Sequence, residues 1–201
     1  MRLLLLPATI LALFTASAQA APEHYEFDKS HTRILFFISH LGFSESVGEF
    51  TDYDGKILFD EKEPAKSSLD ITIKPASVRT PSTALDEHLQ KKDFFNTESF
   101  PELRFVSTGI KMTGEHDGDV TGNVTLLGIT KPVTLKVHFN NAGYHPMTQD
   151  YVAGFKAVAT LKRSDFGMSY GIPNVGDEVR VEVYTEILNT DRKKNEAIKR
   201  D

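Results

Sequence analysis

The chain has 201 residues, of which 23 are Lys or Arg and 28 are Asp or Glu, giving a formal charge of −5. This mildly acidic balance argues against nucleic acid or an anionic membrane surface as a partner. The absence of cysteine excludes disulfides, thiol catalysis and most soft-metal sites.

The first segment, "MRLLLLPATILALFTASAQA", has one basic residue (Arg2), an apolar run from Leu3 to Phe14 and a small-x-small ending at Ala18-Gln19-Ala20. That layout predicts a secretory signal peptide over 1–20, cut after Ala20. Its apolar run is too short for a comfortable membrane span. No cysteine follows the cut to carry a lipid. The mature protein is therefore expected free in an exported compartment, with no stable membrane insertion. Residues 21–189 suit one domain with a sizeable core. The end, "NTDRKKNEAIKRD", is charged and lacks an apolar stripe, so 190–201 are expected as a mobile tail.

"RILFFISHLG", residues 33–42, is apolar on both faces. Ile34, Phe36 and Ile38 point one way and Leu35 and Phe37 the other, where a half-buried strand would alternate. The helix expected near 82–92, or a second subunit, is the candidate cover for Leu35 and Phe37. Cleaner alternation follows. "SLDITIKP" sets Leu69, Ile71 and Ile73 on one face, and "PVTLKVHF" sets Val133, Leu135, Val137 and Phe139 there. "GFKAVATL" offers Phe155, Ala157, Ala159 and Leu161, and "EVRVEVYTEI" offers Val179, Val181, Val183 and Ile187. Further strands are predicted over Lys56–Asp60, Glu102–Thr108 and Val120–Leu127. Turn signals fall at Asp54-Gly55, at 115–119 and at "NNAG", 140–143. "TPSTALDEHLQKKDFF" breaks the rhythm: Thr83 three residues before Asp86 and the Leu85/Leu89 stripe predict a short helix. Serial amphipathic strands with short links predict an antiparallel barrel or sandwich. The 14 phenylalanines and six tyrosines either fill its core or line a cavity too large for side chains to close.

Catalytic signatures are missing. The seven histidines form no H-E-x-x-H or H-x-H pair, and there is no G-x-S-x-G elbow, glycine-rich phosphate loop or isolated carboxylate pair. His138 on a polar strand face and His116 in an acidic turn read as surface or structural residues. His40 continues the Ile34, Phe36, Ile38 face and is a candidate for the polar end of a ligand. Ser164 and Asp165 are adjacent on the chain and cannot form a relay unaided. These residues give no support to an enzyme and predict neither a metal nor a cofactor.

"DKSHTRILFFISHLG", Asp28 to Gly42, matches the pattern D-x-x-H-[ST]-x-hydrophobic-x-F-x-hydrophobic-x-H-L-G. It is followed in order by "GEFTDYDGKILFD", "LDEHLQKKDFFNTESFPELRFVSTGI", "GNVTLLGITKPVTLKV" and "RSDFGMSYGIPNVGDEVRVEVYTEI". Together these blocks resemble the YceI-like family of bacterial periplasmic proteins. The resemblance implies an eight-stranded antiparallel lipocalin-like barrel with one short helix region, often a homodimer, whose interior binds a polyisoprenoid, a quinone or a similar long-chain amphiphile. Carried over by position, Ile34, Phe36, Ile38, His40, Phe50, Phe94, Phe95, Phe105 and Phe166 would line the cavity or its mouth. His40, Ser44, Arg163 and Asp165 are the head-group candidates. Thr32, Tyr53, Lys91, Asn96 and Leu127 depart from the commoner family residues. The expected function is a periplasmic lipid carrier or sequestering protein without catalysis. Two other readings stay open: an enzyme acting on such a lipid, and a filled barrel serving as a partner-binding module of a membrane redox complex.

Overall fold

Alternating apolar residues turn the chain into one antiparallel meander, which the computed structural model describes over residues 21–192. The expected signal peptide and most of the expected tail lie outside the described residues. β1 (Glu23–Phe27) and β2 (Arg33–His40) run end to end along β11 (Val175–Asn189), with Phe27 opposite Ile187 and Phe36 opposite Val181. β3 (Ser44–Phe50) and β4 (Tyr53–Phe59) form a second kinked strand beside them, and β5 (Ser68–Ile73) with β6 (Val78–Arg79) a third. β7 (Leu103–Met112), β8 (Asp117–Leu126), β9 (Ile129–Tyr144), β10 (Tyr151–Lys162) and β11 complete the circuit. With each kinked pair counted once, the result is a closed antiparallel barrel of eight strands. Closure leaves the main circuit without a free sheet edge.

Two expected turns are strand instead. Asp54 and Gly55 lie inside β4, opposite Thr72 and Ile71. A Cβ on Gly55 would come within 2.5 Å of the Asp70 carbonyl oxygen, so glycine there permits close backbone approach rather than reversal. "NNAG" lies inside β9, because a bulge takes up Asn140: Phe155 pairs with Phe139 and Gly154 with Asn141.

The kink between β1 and β2 is held by Asp28. Its carboxylate accepts from the Ser30 amide (2.9 Å), the Ser30 hydroxyl (2.5 Å) and His31 Nδ1 (2.8 Å). Burial by itself would raise this carboxyl, but the hydrogen bonds from His31 and Ser30 outweigh it and hold the pKa at about 2. The folded value is depressed, so the stabilisation is complete above the unfolded carboxylate range and is lost as pH falls through about 2. Asp28→Asn is therefore expected to lower stability near neutrality, with the gap from wild type closing as pH drops below roughly 4. Urea unfolding at a series of pH values measures this. A gap constant across that window would contradict it. His31 titrates above its ordinary value, chiefly through its hydrogen bond to Asp28, so its share is full below the unfolded histidine range and lost as pH rises.

One barrel end is plugged. The helix α1 (Thr83–Leu89) is capped by Ser82, whose Oγ accepts from the Leu85 amide, one residue earlier than the expected Thr83 cap. It ends at Leu89 and sends Leu85 and Leu89 into a cluster with Ile34, Phe50, Phe95, Phe105, Phe166 and Met168. The helix thus joins the inward face of β2. Leu35 and Phe37 are outside this cluster, and the ring of Phe37 is covered instead by the Arg180 guanidinium at 4.1 Å. Arg180 thus covers the Phe37 part of the second apolar face of β2.

Candidate functional site

The inward face of each strand has more room than its side chains fill. A cavity of about 500 Å³ runs through the barrel, within the size range of small-molecule pockets. Leu69, Ile71 and Ile73 line it from β5, and Val133, Leu135, Val137 and Phe139 from β9. Phe155, Ala157, Ala159 and Leu161 face it from β10, and Val181, Val183 and Ile187 from β11. Each set follows the two-residue period of its strand. Glycine opens space for the largest rings: a Cβ on Gly48 would lie 2.2 Å from Phe36 Cζ, and one on Gly122 would lie 2.4 Å from Phe105 Cζ.

The aromatic and aliphatic residues singled out from sequence fall into four places. Ile34, Phe36, Phe50 and Phe105 line the cavity, and Leu35 also borders it. Phe95 and Phe166, 8% and 1% exposed, belong to the plug at the helix end. Phe94 stands beside that plug in an edge-on aromatic group with His88 (4.9 Å) and Tyr170 (5.4 Å). Ile38 is half-buried but outside the lining.

The four head-group candidates gather at the plugged end, and none borders the cavity. His40 and Ser44 are exposed around the β2–β3 hairpin. Arg163 is 2% exposed, and its guanidinium donates to the carbonyls of Gly176 (2.7 Å), Met168 (3.2 Å) and Val175 (3.1 Å). Burial pushes its pKa below the usual arginine value. Ser164 donates from its amide and hydroxyl to Asp177, 2.9 and 2.8 Å away. These bonds hold the Asp177 carboxyl below its usual range. Asp165 is exposed. The "RSDFG" block therefore works as a clamp on the segment entering β11.

The cavity reaches the surface at the opposite end, between the 60–67 loop and the β7–β8 turn. Glu61, Ser67, Glu115 and His116 line it there, and Glu61, Glu115 and His116 are exposed. Glu61 accepts from the Tyr151 hydroxyl at 2.7 Å. His116 stacks on Phe139, with ring centroids 5.9 Å apart. Phe139, Phe59 and Phe155 meet one another at 5.1 to 6.1 Å behind this opening. Reading His116 as a turn residue overlooked its place. The usable signal was the turn itself, since every β–β turn of a barrel lies at one of its two ends.

Among the described residues, Asp28, His31 and Glu186 bring ligand-type atoms within 4.8 Å of one another. His31 Nδ1 is already bonded to Asp28, and the group is accounted for by the kink it holds. No helix among the described residues is long and apolar enough to cross a membrane.

Comparison with known proteins agrees with this geometry. The family model for the YceI-like domain matches residues 25–187. A UPF0312 protein of Pseudomonas aeruginosa is 42% identical over 172 residues, covering 85% of this chain and 88% of that one. A UPF0312 protein of Pseudomonas syringae pv. tomato is 43% identical over 163 residues, 79% of this chain and 84% of its own. Among solved structures, Burkholderia cenocepacia BcnA superposes with a TM-score of 0.72 at 24% identity, over 80% of this chain and 98% of that one. The Campylobacter jejuni YCEI protein gives 0.68 at 25% identity, over 92% of this chain and 99% of that one. A Saccharophagus degradans domain described as polyisoprenoid-binding gives 0.64 at 13% identity, over 83% of this chain and 99% of that one, a likeness of fold. Barrel, cavity and sequence agree: the chain belongs to the YceI-like family.

Proposed function

We propose that this protein is a periplasmic carrier or sequestering protein that holds the apolar tail of a polyisoprenoid or similar long-chain amphiphile inside its barrel, without catalysis. The observation that carries this reading is the cavity: about 500 Å³, aliphatic and aromatic along its length, polar only toward one end apart from Thr185. Thr185 is already bonded to Thr32, hydroxyl to hydroxyl, at 2.8 Å. The polyisoprenoid-binding description of the Saccharophagus degradans domain supports the ligand class. The export signal expected from sequence over 1–20 supports the compartment.

In this reading Ile34, Phe36, Phe50 and Phe105 hold the chain, and Phe95 and Phe166 form the floor beneath its end. Burying on the order of 400 Å² of ligand surface yields about 10 kcal/mol before the costs of association. That is enough for tight binding with no chemistry. A partner-binding module with a filled barrel fits less well, because the interior is open. The reading includes a homodimer, for which Leu41, Phe43 and Val47, 50%, 90% and 37% exposed, are the outward apolar candidates.

Incubation of purified protein with geranylgeraniol is expected to give a one-to-one complex from which the lipid is recovered unchanged. Chemical conversion of the lipid would establish the enzyme reading in its place. Refusal of this and every longer isoprenoid would remove the carrier reading.

A further inference from the structure

Apart from His116, the acidic and basic side chains that line the cavity mouth are all carboxylates. Glu61 and Glu115 line the opening, and no lysine or arginine lines the cavity anywhere among the described residues. The nearby cations stand outside the lining. Lys66 pairs with Glu63 at 2.9 Å, and Arg192 pairs with Glu23 at 2.5 Å while standing 3.7 Å from Glu61. Lys62 and Lys111 lie on the same rim segments but outside the lining. Glu115 has neither an ion pair nor a hydrogen bond among the described residues.

A second observation lies behind the rim. Asp60 is 4% exposed, and one carboxylate oxygen accepts from the amides of Lys62 (3.0 Å) and Glu63 (2.8 Å). Its other oxygen is buried with no protein partner among the described residues. The Asp60 amide donates to Ser67 Oγ at 2.9 Å, which ties this carboxylate's residue to a lining one. Just inside stand Phe59, Phe139 and Phe155, whose ring faces are the negative ends of their quadrupoles.

A head group at this mouth thus meets carboxylates in the lining and aromatic rings inside it, with no lysine or arginine in the lining to receive a phosphate. Low-dielectric walls strengthen that field relative to bulk water. We propose that the mouth selects a cationic or uncharged head group and rejects an anionic one, so that the ligand is a long-chain amine or a neutral isoprenoid rather than a prenyl phosphate or diphosphate. This rests on the carrier reading and specifies which amphiphile it takes.

The test uses three ligands with one tail: geranylgeranylamine, geranylgeraniol and geranylgeranyl diphosphate. Each is titrated into the full-length mature protein at mildly alkaline pH, above the ordinary histidine range. The amine is expected to bind at least as tightly as the alcohol, and the diphosphate about tenfold more weakly than the alcohol. Glu61→Gln with Glu115→Gln keeps the acceptor for Tyr151 and is expected to bring the three affinities within about threefold of one another. Added salt is expected to narrow the wild-type spread. A diphosphate bound as tightly as the alcohol by the wild type would overturn the proposal, as would a spread unchanged in the double variant. Failure of all three to bind folded protein would overturn the carrier reading itself. That outcome is distinct from tight binding with the wrong head-group order.

Discussion

Arg163→Met is expected to lower the unfolding free energy by roughly 3–5 kcal/mol, the largest stability effect of any side chain at the plugged end. The guanidinium donates to three carbonyls, those of Gly176, Met168 and Val175, in a setting where Arg163 is 2% exposed. Methionine fills much of the volume but supplies no donor, so buried acceptors lose their partners together. The segment they anchor carries Phe166 and Met168 into the plug, so its release also loosens the barrel end. Denaturant unfolding of Arg163→Met against Asp165→Asn measures the effect. The exposed Asp165 is expected to change stability by no more than about 0.5 kcal/mol. Equal, small effects from both would mean that Arg163 is not the clamp described here.

The second large effect is on binding rather than stability. Ala159→Trp is expected to leave a folded barrel that no longer takes up long isoprenoids, with affinity lowered more than about a hundredfold. Ala159 is 6% exposed, lies opposite Val181 in β11 and faces the cavity. An indole there occupies the space a chain would thread, and filling a void is commonly neutral or favourable to stability. Should that ring overpack the strand, Ala157→Phe offers a smaller obstruction on the same face. Val158→Trp is the control, because Val158 is absent from the lining. Isoprenoid titration with circular dichroism of each variant decides the matter. Undiminished uptake by folded Ala159→Trp would place the ligand outside the barrel.

The two predictions differ in how far they could be read from sequence. Leu69, Ile71 and Ile73, like Val133, Leu135, Val137 and Phe139, announce their face by simple alternation, and the structure puts all of them on the cavity. Periodicity of two reports which side of a strand is buried. It says nothing of depth along the barrel axis. That is why His40, on the same alternation as Ile34 and Phe36, emerges exposed at the plugged end instead of at the mouth. The "NNAG" and Asp54-Gly55 signals were local, whereas the bulge at Asn140 and the close approach at Gly55 are imposed by neighbouring strands. Glu61, Glu115 and His116 carry no motif. They converge only because the loop before β5 and the turn after β7 close the same end of the barrel, a fact of topology rather than of spacing.

All of this turns on whether the barrel holds a lipid. The most direct measurement is mass spectrometry of protein purified from its native cells, recorded on the intact complex and again after solvent extraction. The expected result is one isoprenoid or similar long-chain molecule per chain, lost on extraction, with a neutral or cationic head group. Protein of unmodified mass that remains empty and refuses every isoprenoid offered to it would contradict the carrier reading.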